Sequence, residues 1–401
     1  MTLRDDYARL FLPTYAPPKP VLTRGNGAFV WDTEGREYID FGGGIAVLSL
    51  GHAAPAVLSA LAEQAAQLMH TSNLFVNDAA VLLADKLRSA TFARRVFLCN
   101  SGAEANEAAL KLARRRGIKL HPEKYRVLSF EGGFHGRIGL AMAATPQSKI
   151  RDGFGPLAPG FLHTPLNDIS AAWDIADDNL CAIIIEPIQG ESGVRPANRD
   201  FLQGLRKVAD KHDAVLIFDE IQCGAGRTGD LYVYQTLGAI PDVLTTAKGL
   251  GGGFPVAAML AGELVCDALP TGSHGTTYGG NPLAAKVALS VLETLLADGF
   301  LDGVKKRGEE FMHHLHKIND DIGCFAEIRG RGLLLGCDLK EPFSAKDLAM
   351  AALDEGLIVI TAGTNTLRLA PCLNISDAAT EKGFVRLHKA AQKVIAATSA
   401  G

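Results

Sequence analysis

Lys248 lies in TTAKGLGGGF, residues 245 to 254, between hydroxylated residues and a run of glycines. Glycines supply dihedrals that other residues avoid and let a backbone approach a ligand closely, which sets this amine apart from an ordinary solvated lysine. A desolvated ammonium near other positive groups has a depressed pKa and becomes a nucleophile toward carbonyls. Asp219 ends the apolar run of AVLIFDEI, so its carboxylate emerges where a strand leaves its sheet. A local cap or ion pair is the plain alternative for a lone aspartate. The third candidate is CNSGAEANEAALKLARRR, where a strand ends at Cys99 and a helix opens after Ser101 and Gly102. Unpaired N–H groups and the positive end of the helix dipole make such a junction a seat for phosphate. The Ser101-x-x-Glu104 spacing also permits a capping box, and both roles can hold together.

The flanking elements must bring these three positions together. From about residue 51 to 265, the strand candidates RVFLCN, RVLSF, CAIIIEPI, AVLIFDEI and DVLTTAK alternate with the amphipathic AEANEAALKLARRR and DFLQGLRKVADKH. Short apolar runs between helices indicate strands covered on both faces, hence an α/β fold with a mostly parallel sheet. Ligands then sit beyond the C-terminal ends of the strands. Before this region, AFVWD and EYIDF joined by TEGR read as a hairpin, an N-terminal sheet appendage. After about 290, the helical VALSVLETLLADG, the strand-like EIRGRGLLLGCDL and LIVITAG, and the helical KGFVRLHKAAQKVIAATSA suggest a smaller α+β domain. The expected division is 1–50, 51–289 and 290–401.

Composition narrows the class. A chain of 401 residues that is 47% hydrophobic and 21% charged is neither disordered nor a coiled coil. A formal charge of -4 gives no reason to expect nucleic acid or an anionic membrane as partner. The seven cysteines are scattered, odd in number and without metal-ligand spacing, which fits free thiols in a reducing compartment and no metal site. The first residues, MTLRDDYARLFLPTYAPP, are broken by acidic residues and prolines, and no long uncharged apolar run occurs after them. The expected location is the cytoplasm.

Together, a phosphate seat, a carboxylate at a strand end and a lysine in a glycine-rich loop are what pyridoxal 5'-phosphate requires: an anchor, a partner for the pyridinium nitrogen and an amine for the Schiff base. A rival motif is GAGRTG, residues 224 to 229, a literal G-x-G-x-x-G after a strand that would make the chain a nicotinamide-dependent dehydrogenase. That fingerprint needs a long amphipathic helix opening within it. The next stretch of chain, DLYVYQTLGAIPD, is short and stopped by Gly238 and Pro241, so GAGRTG reads as a loop.

The stretches NSGAEANEAALKLAR, FHGR, IIEPIQGE, LIFDEIQCGAGRTG, TTAKGLGGGFP and HGTTYGGNPLA together resemble the class III aminotransferases, of fold type I, from about Tyr15 to the C-terminus. YAPPKPVLTRGNG, YIDFGGGIAV, RGRGLLLGC and LRLAPCLNISD are similar to the acetylornithine and succinylornithine branch, and the last two lean toward the succinyl enzymes. The resemblance implies that Lys248 forms the Schiff base and shuttles the proton, that Asp219 pairs with the pyridine nitrogen, and that Gln222 meets the phenolic oxygen. It implies that Phe134 stacks on the ring and that Ser101, Gly102 and Ala103 form the phosphate cradle. Thr277 would join that cradle from the other subunit of a homodimer with shared sites.

For substrates, it implies Arg137 and Tyr15 at a carboxylate, with Thr276 beside them, and Arg368 at the carboxylate of 2-oxoglutarate, where a guanidinium grips bidentately. Glu191 would pair with Arg368 in one half-reaction and release it in the other. The implied reaction is ping-pong transamination of N2-acetylornithine or N2-succinylornithine with 2-oxoglutarate. Ornithine and 4-aminobutyrate are the alternative donors, and Glu191 argues against the second. The sequence departs from the family pattern at Ile138, where threonine is usual, at Ala53 and Ala54, where histidine is common near the proline, and at Cys372.

Overall fold

A computed structural model describes residues 2–16 and 20–399. Its largest element is a seven-stranded sheet built from β4 (Arg95–Cys99), β5 (Arg126–Phe130), β6 (Phe161–Thr164), β7 (Leu180–Ile185), β10 (Val215–Asp219), β11 (Val243–Thr246) and β12 (Ala257–Ala261). The order across the sheet is β4-β12-β11-β10-β7-β5-β6. β12 runs antiparallel to both neighbours; the pairs among β11, β10, β7, β5 and β6 are all parallel. Every residue of β7, β10 and β11 is buried.

The alternation of side chains explains why these runs are continuously apolar. Leu216 and Phe218 pack on one face with Phe201, Leu202 and Leu205 of the helix Arg199–Lys211. Val215 and Ile217 pack on the other with Ala108, Ala109 and Leu112 of the helix Gly102–Leu120. A sheet sandwiched this way leaves only its strand ends for polar groups. Parallel register places Asp219 level with Thr245, three residues before Lys248.

The expected hairpin is present as β2 (Phe29–Asp32) and β3 (Glu37–Asp40), preceded by β1 (Leu22–Asn26) on β2. It is not an appendage complete in itself: β15 (Leu357–Ile358) adds in parallel to β3. The second small sheet holds β13 (Phe325–Arg331), β14 (Leu334–Leu339), β17 (Thr366–Leu369) and β16 (Ile360–Ala362) in that order. LIVITAG, read as one strand, therefore serves two sheets, because its apolar run splits at Val359. A two-strand ladder of β8 (Ile188–Gln189) and β9 (Arg195–Pro196) follows β7, and β9 lies against β13. Among the described residues no helix is long and apolar enough to cross a membrane.

Candidate active site

A cavity of about 470 Å³ opens at the strand-end edge, lined by Ser101, Gly102, Ala103, Phe134, Asp219 and Lys248 among others. Asp219 is the last residue of β10 and only 3% exposed. Its Oδ2 accepts from Asn106 Nδ2 at 2.7 Å and lies 2.8 Å from His135 Nδ1, while Oδ1 accepts the Ile221 N–H at 3.1 Å. Asn106 in turn donates to His135 O and accepts from the Thr245 hydroxyl. The carboxylate is thus fixed from three directions. Asn106 lies four residues after Gly102, on the same face of its helix as the cavity-lining end.

Lys248 begins a short 3₁₀ turn at φ +41°, a left-handed conformation that costs a non-glycine residue energy and persists only when the surroundings impose it. Its Nζ makes no hydrogen bond or ion pair among the described residues. Burial lowers its pKa; the Glu191 carboxylate opposes that shift and the Arg368 charge reinforces it. Among the neighbouring glycines Gly253 lines the cavity, whereas Gly251 serves the turn. A Cβ on Gly251 would fall 2.0 Å from Phe254 O, so that close approach is between two parts of one loop.

At the helix start, Ser101 Oγ accepts the Glu104 N–H at 3.3 Å. Glu104 Oε2 reaches past Ser101 to the N–H and side-chain amide of Asn100, at 2.6 and 3.0 Å. The capping box is therefore displaced by one residue. The N–H groups of Ser101, Gly102 and Ala103 make no hydrogen bond among the described residues, and all three residues line the cavity. A Cβ on Gly102 would meet the Ile221 side chain at 2.7 Å, so any larger residue there requires Ile221 to shift. Three free donors at a helix N-terminus suit a phosphate.

Behind Gln222 lies a polar cluster. Arg368 Nη1 donates to Gly190 O at 2.8 Å, Glu191 Oε1 at 2.7 Å and Gln222 Oε1 at 2.9 Å; Gln222 Nε2 donates to Glu191 Oε1 at 3.0 Å. Burial works against the Glu191 carboxylate, but the charges of Arg368 and Lys248 and the hydrogen bonds from Arg368 and Gln222 outweigh it and hold its pKa down. Arg137, in contrast, is exposed at the cavity with no hydrogen bond or ion pair among the described residues; its guanidinium lies 5.9 Å from the Phe134 ring centroid.

The structure therefore gathers Ser101, Gly102, Ala103, Phe134, Arg137, Asp219, Gln222 and Lys248 around one cavity, with Glu191 and Arg368 adjoining. Tyr15, Thr276 and Thr277 do not line it: Tyr15 is 74% exposed, Thr277 is exposed, and Thr276 accepts from Asn100. Sequence reasoning missed His135, Asn106 and Glu186. Glu186 lines the cavity and accepts the N–H groups of Phe134 and Gly190 at 2.8 and 3.3 Å. Burial pushes its pKa well up, and the Asp219 charge adds to that. A glutamate at the end of the all-apolar CAIII run was the available signal. In GAGRTG, no helix opens; Arg227 is buried and donates to Leu333 O and Pro371 O.

This sheet, with an amine, a fixed carboxylate and free N–H donors at its strand ends, defines a fold type I pyridoxal-phosphate transferase. A family model described as Aminotransferase class-III matches residues 13–391. Succinylornithine transaminase of Citrobacter koseri is 48% identical over 399 residues, covering 99% of this chain and 98% of that protein. Succinylornithine transaminase/acetylornithine aminotransferase of Pseudomonas aeruginosa is 48% identical over 395 residues, covering 98% and 97%. The crystal structure of N-acetylornithine aminotransferase from Stenotrophomonas maltophilia matches with a TM-score of 0.85 at 41% identity, covering 95% of this chain and 98% of that one. The chain belongs to the class III aminotransferases, a pyridoxal-phosphate-dependent family.

Proposed function

We propose that the chain transfers the terminal amino group of N2-succinylornithine or N2-acetylornithine to 2-oxoglutarate, giving the N2-acylglutamate 5-semialdehyde and glutamate, in arginine metabolism. The observation that carries this reading is the contrast between Arg137, which has no carboxylate partner among the described residues, and Arg368, which Glu191 covers. An acylated ornithine brings a carboxylate remote from its reacting carbon, which bears none itself. 2-Oxoglutarate brings a second carboxylate beside its reacting carbonyl. One open cation and one cation under a removable cover fit both in turn. The two relatives at 48% identity bear these acylornithines in their names.

The cofactor we assign is pyridoxal 5'-phosphate, and the residues present fit it. The three free N–H groups would hold its phosphate, Asp219 its pyridine nitrogen, Gln222 its phenolic oxygen, Phe134 one ring face and Lys248 its aldehyde. When bound, it supplies an electron sink for the carbon that loses its proton. Asp219, oriented by Asn106 and His135, would meet the ring nitrogen, where a carboxylate favours a proton. Lys248, with its pKa held down by burial, can take a proton from substrate carbon and return it elsewhere. Arg137 and Tyr15, with Thr276 nearby, would orient the substrate carboxylate.

We assign a homodimer with shared sites and a cytoplasmic location. Leu68, Met69, Leu74, Phe75 and Val76 are all exposed within nine residues, an apolar surface that a second copy would cover, and Thr277 is free to reach a partner's phosphate seat. All seven cysteines are free thiols. The test is initial rates with both acylated ornithines, ornithine and 4-aminobutyrate. The acylated donors are expected to have the highest kcat/KM, and a faster ornithine or 4-aminobutyrate would refute the assignment. An absorbance band near the visible edge, abolished in Lys248→Ala, is expected of the purified protein; a colourless protein that binds nicotinamide cofactor would refute the cofactor.

A further inference from the structure

The turn Gly190–Val194 joins β8 to β9 and carries Glu191. Its successive carbonyls are all engaged. Gly190 O accepts from Arg368 at 2.8 Å, Glu191 O from the Gly363 N–H at 2.8 Å, and Ser192 O from Arg195 at 3.3 Å. Gly193 O and Val194 O both accept from Arg329 Nε at 3.0 Å. Val194 is a β-branched residue at φ +53°, so this end of the turn is strained and needs something to impose it.

What imposes it is a row across the small sheet. Arg329 on β13 and Arg368 on β17 are both register partners of Gly336 on β14. Residues opposite one another in antiparallel strands project from the same face, so the two guanidiniums flank a position with no side chain. A Cβ on Gly336 would meet Val194 Cβ at 2.9 Å and Gly193 O at 3.1 Å. The turn lies in that slot, gripped at its start by Arg368 and at its end by Arg329. Asp338 holds Arg329 bidentately, with Oδ1 2.7 Å from Nη2 and Oδ2 2.8 Å from Nη1. Arg329 is 9% exposed and does not line the cavity, so any effect on the site passes through the turn.

We propose that Arg329 is a positioning residue for the acceptor half of the reaction: it pins the Gly193–Val194 end of the turn over Gly336, so that Glu191 leaves and regains Arg368 by side-chain rotation on an immobile backbone. This role rests on the function proposed above. Entry of a dicarboxylate then costs a rotamer change and no loop rearrangement, and Arg368 stays preorganised for it.

The test compares the wild-type holoenzyme with Arg329→Lys and Asp338→Asn. Each half-reaction is followed separately by single-turnover absorbance, with the Kd of glutarate, an unreactive dicarboxylate, and the melting temperature measured in parallel. Arg329→Lys is expected to weaken glutarate and raise the KM for 2-oxoglutarate about tenfold, with the acylornithine half-reaction changed less than about twofold. Asp338→Asn should shift the same two quantities in the same direction by about threefold, and it decides the matter if the lysine variant does not fold. Equal slowing of both half-reactions, or unchanged glutarate affinity, would overturn the role while leaving the function standing. A wild-type enzyme that accepts amino groups from acylornithine but cannot pass them to 2-oxoglutarate would overturn both.

Discussion

Arg368 and Arg137 adjoin the same cavity under opposite conditions. Arg368 is 2% exposed, and its Nη1 is shared among a carbonyl, a carboxylate and an amide oxygen. Arg137 is exposed and has no carboxylate partner among the described residues. A buried guanidinium left bare would bear a large desolvation cost, so it must be paired whenever no substrate carboxylate is beside it. An exposed one has no such requirement and can stand open. The lesson is that one cavity can serve two substrates of different charge if the deep cation has its own counter-ion and the outer cation has none.

The largest expected effect comes from removing the deep cation. Arg368→Leu leaves Glu191 half-buried and without its cation, and breaking a buried pair from one side costs roughly 3–5 kcal/mol. The 2-oxoglutarate half-reaction should fall about a thousandfold in kcat/KM, and the acylornithine half-reaction by far less. Single-turnover rates measure both. Equal losses would erase the distinction between the two arginines. Next comes Arg137→Leu. Because Arg137 makes no hydrogen bond or ion pair among the described residues, its loss should leave the melting temperature within about a degree. It should lower kcat/KM for the acylated donor about a hundredfold through a lost charge-assisted bidentate bond.

The positions of Asp219 and Lys248 were legible because each comes after a short apolar run whose end marks the edge of the sheet, and the free N–H groups are a consequence of the strand-to-helix junction at Ser101. The pairing of Glu191 with Arg368 was legible only through family resemblance: 177 residues separate them, and neither strand pattern nor spacing brings β17 beside the turn after β8. Glu186 carried the same strand-end signal as Asp219 and was passed over, whereas His135 and Asn106 were not legible as site residues. Each is a single polar residue whose meaning lies in a partner far along the chain, as Asn106 with Asp219, 113 residues on. The split of LIVITAG between two sheets has the same origin, since a local pattern shows that a run is apolar and not which edge it pairs with.

A smaller effect tests the electrostatics between the two regions. Arg368 lowers the pKa of Lys248 and Glu191 raises it. In cofactor-free protein, Glu191→Gln should therefore move the pH midpoint for aldehyde labelling of Lys248 downward, while Arg368→Leu should move it upward. Movement of both midpoints in one direction would show that backbone displacement, and not charge, controls the amine. Stability carries a sign of its own. Glu191 has a depressed pKa in the fold, so its pairing contributes above the ordinary glutamate range and is lost as pH falls through the folded value. Acid melting curves of Glu191→Gln should converge on those of wild type below that point.

The smallest effect concerns the support beneath Arg137. The next residue, Ile138, is the N-cap of the helix Gly139–Ala144 and supplies no side-chain hydrogen bond. Glu107, from the helix Gly102–Leu120, accepts the Ala141 N–H at 3.1 Å in its place, and burial raises the pKa of that carboxyl. Because Glu107 already takes the N–H that a threonine hydroxyl at 138 would reach, Ile138→Thr should change stability by less than about 0.5 kcal/mol in urea denaturation. If Arg137 acts as proposed, an open cation on an exposed rim, a threonine after it should change the KM for acylated ornithine less than about twofold. A larger change would mean that Arg137 needs freedom of its loop as well as freedom from a counter-ion, and the contrast with the clamped Arg368 would then be one of mobility as much as of charge.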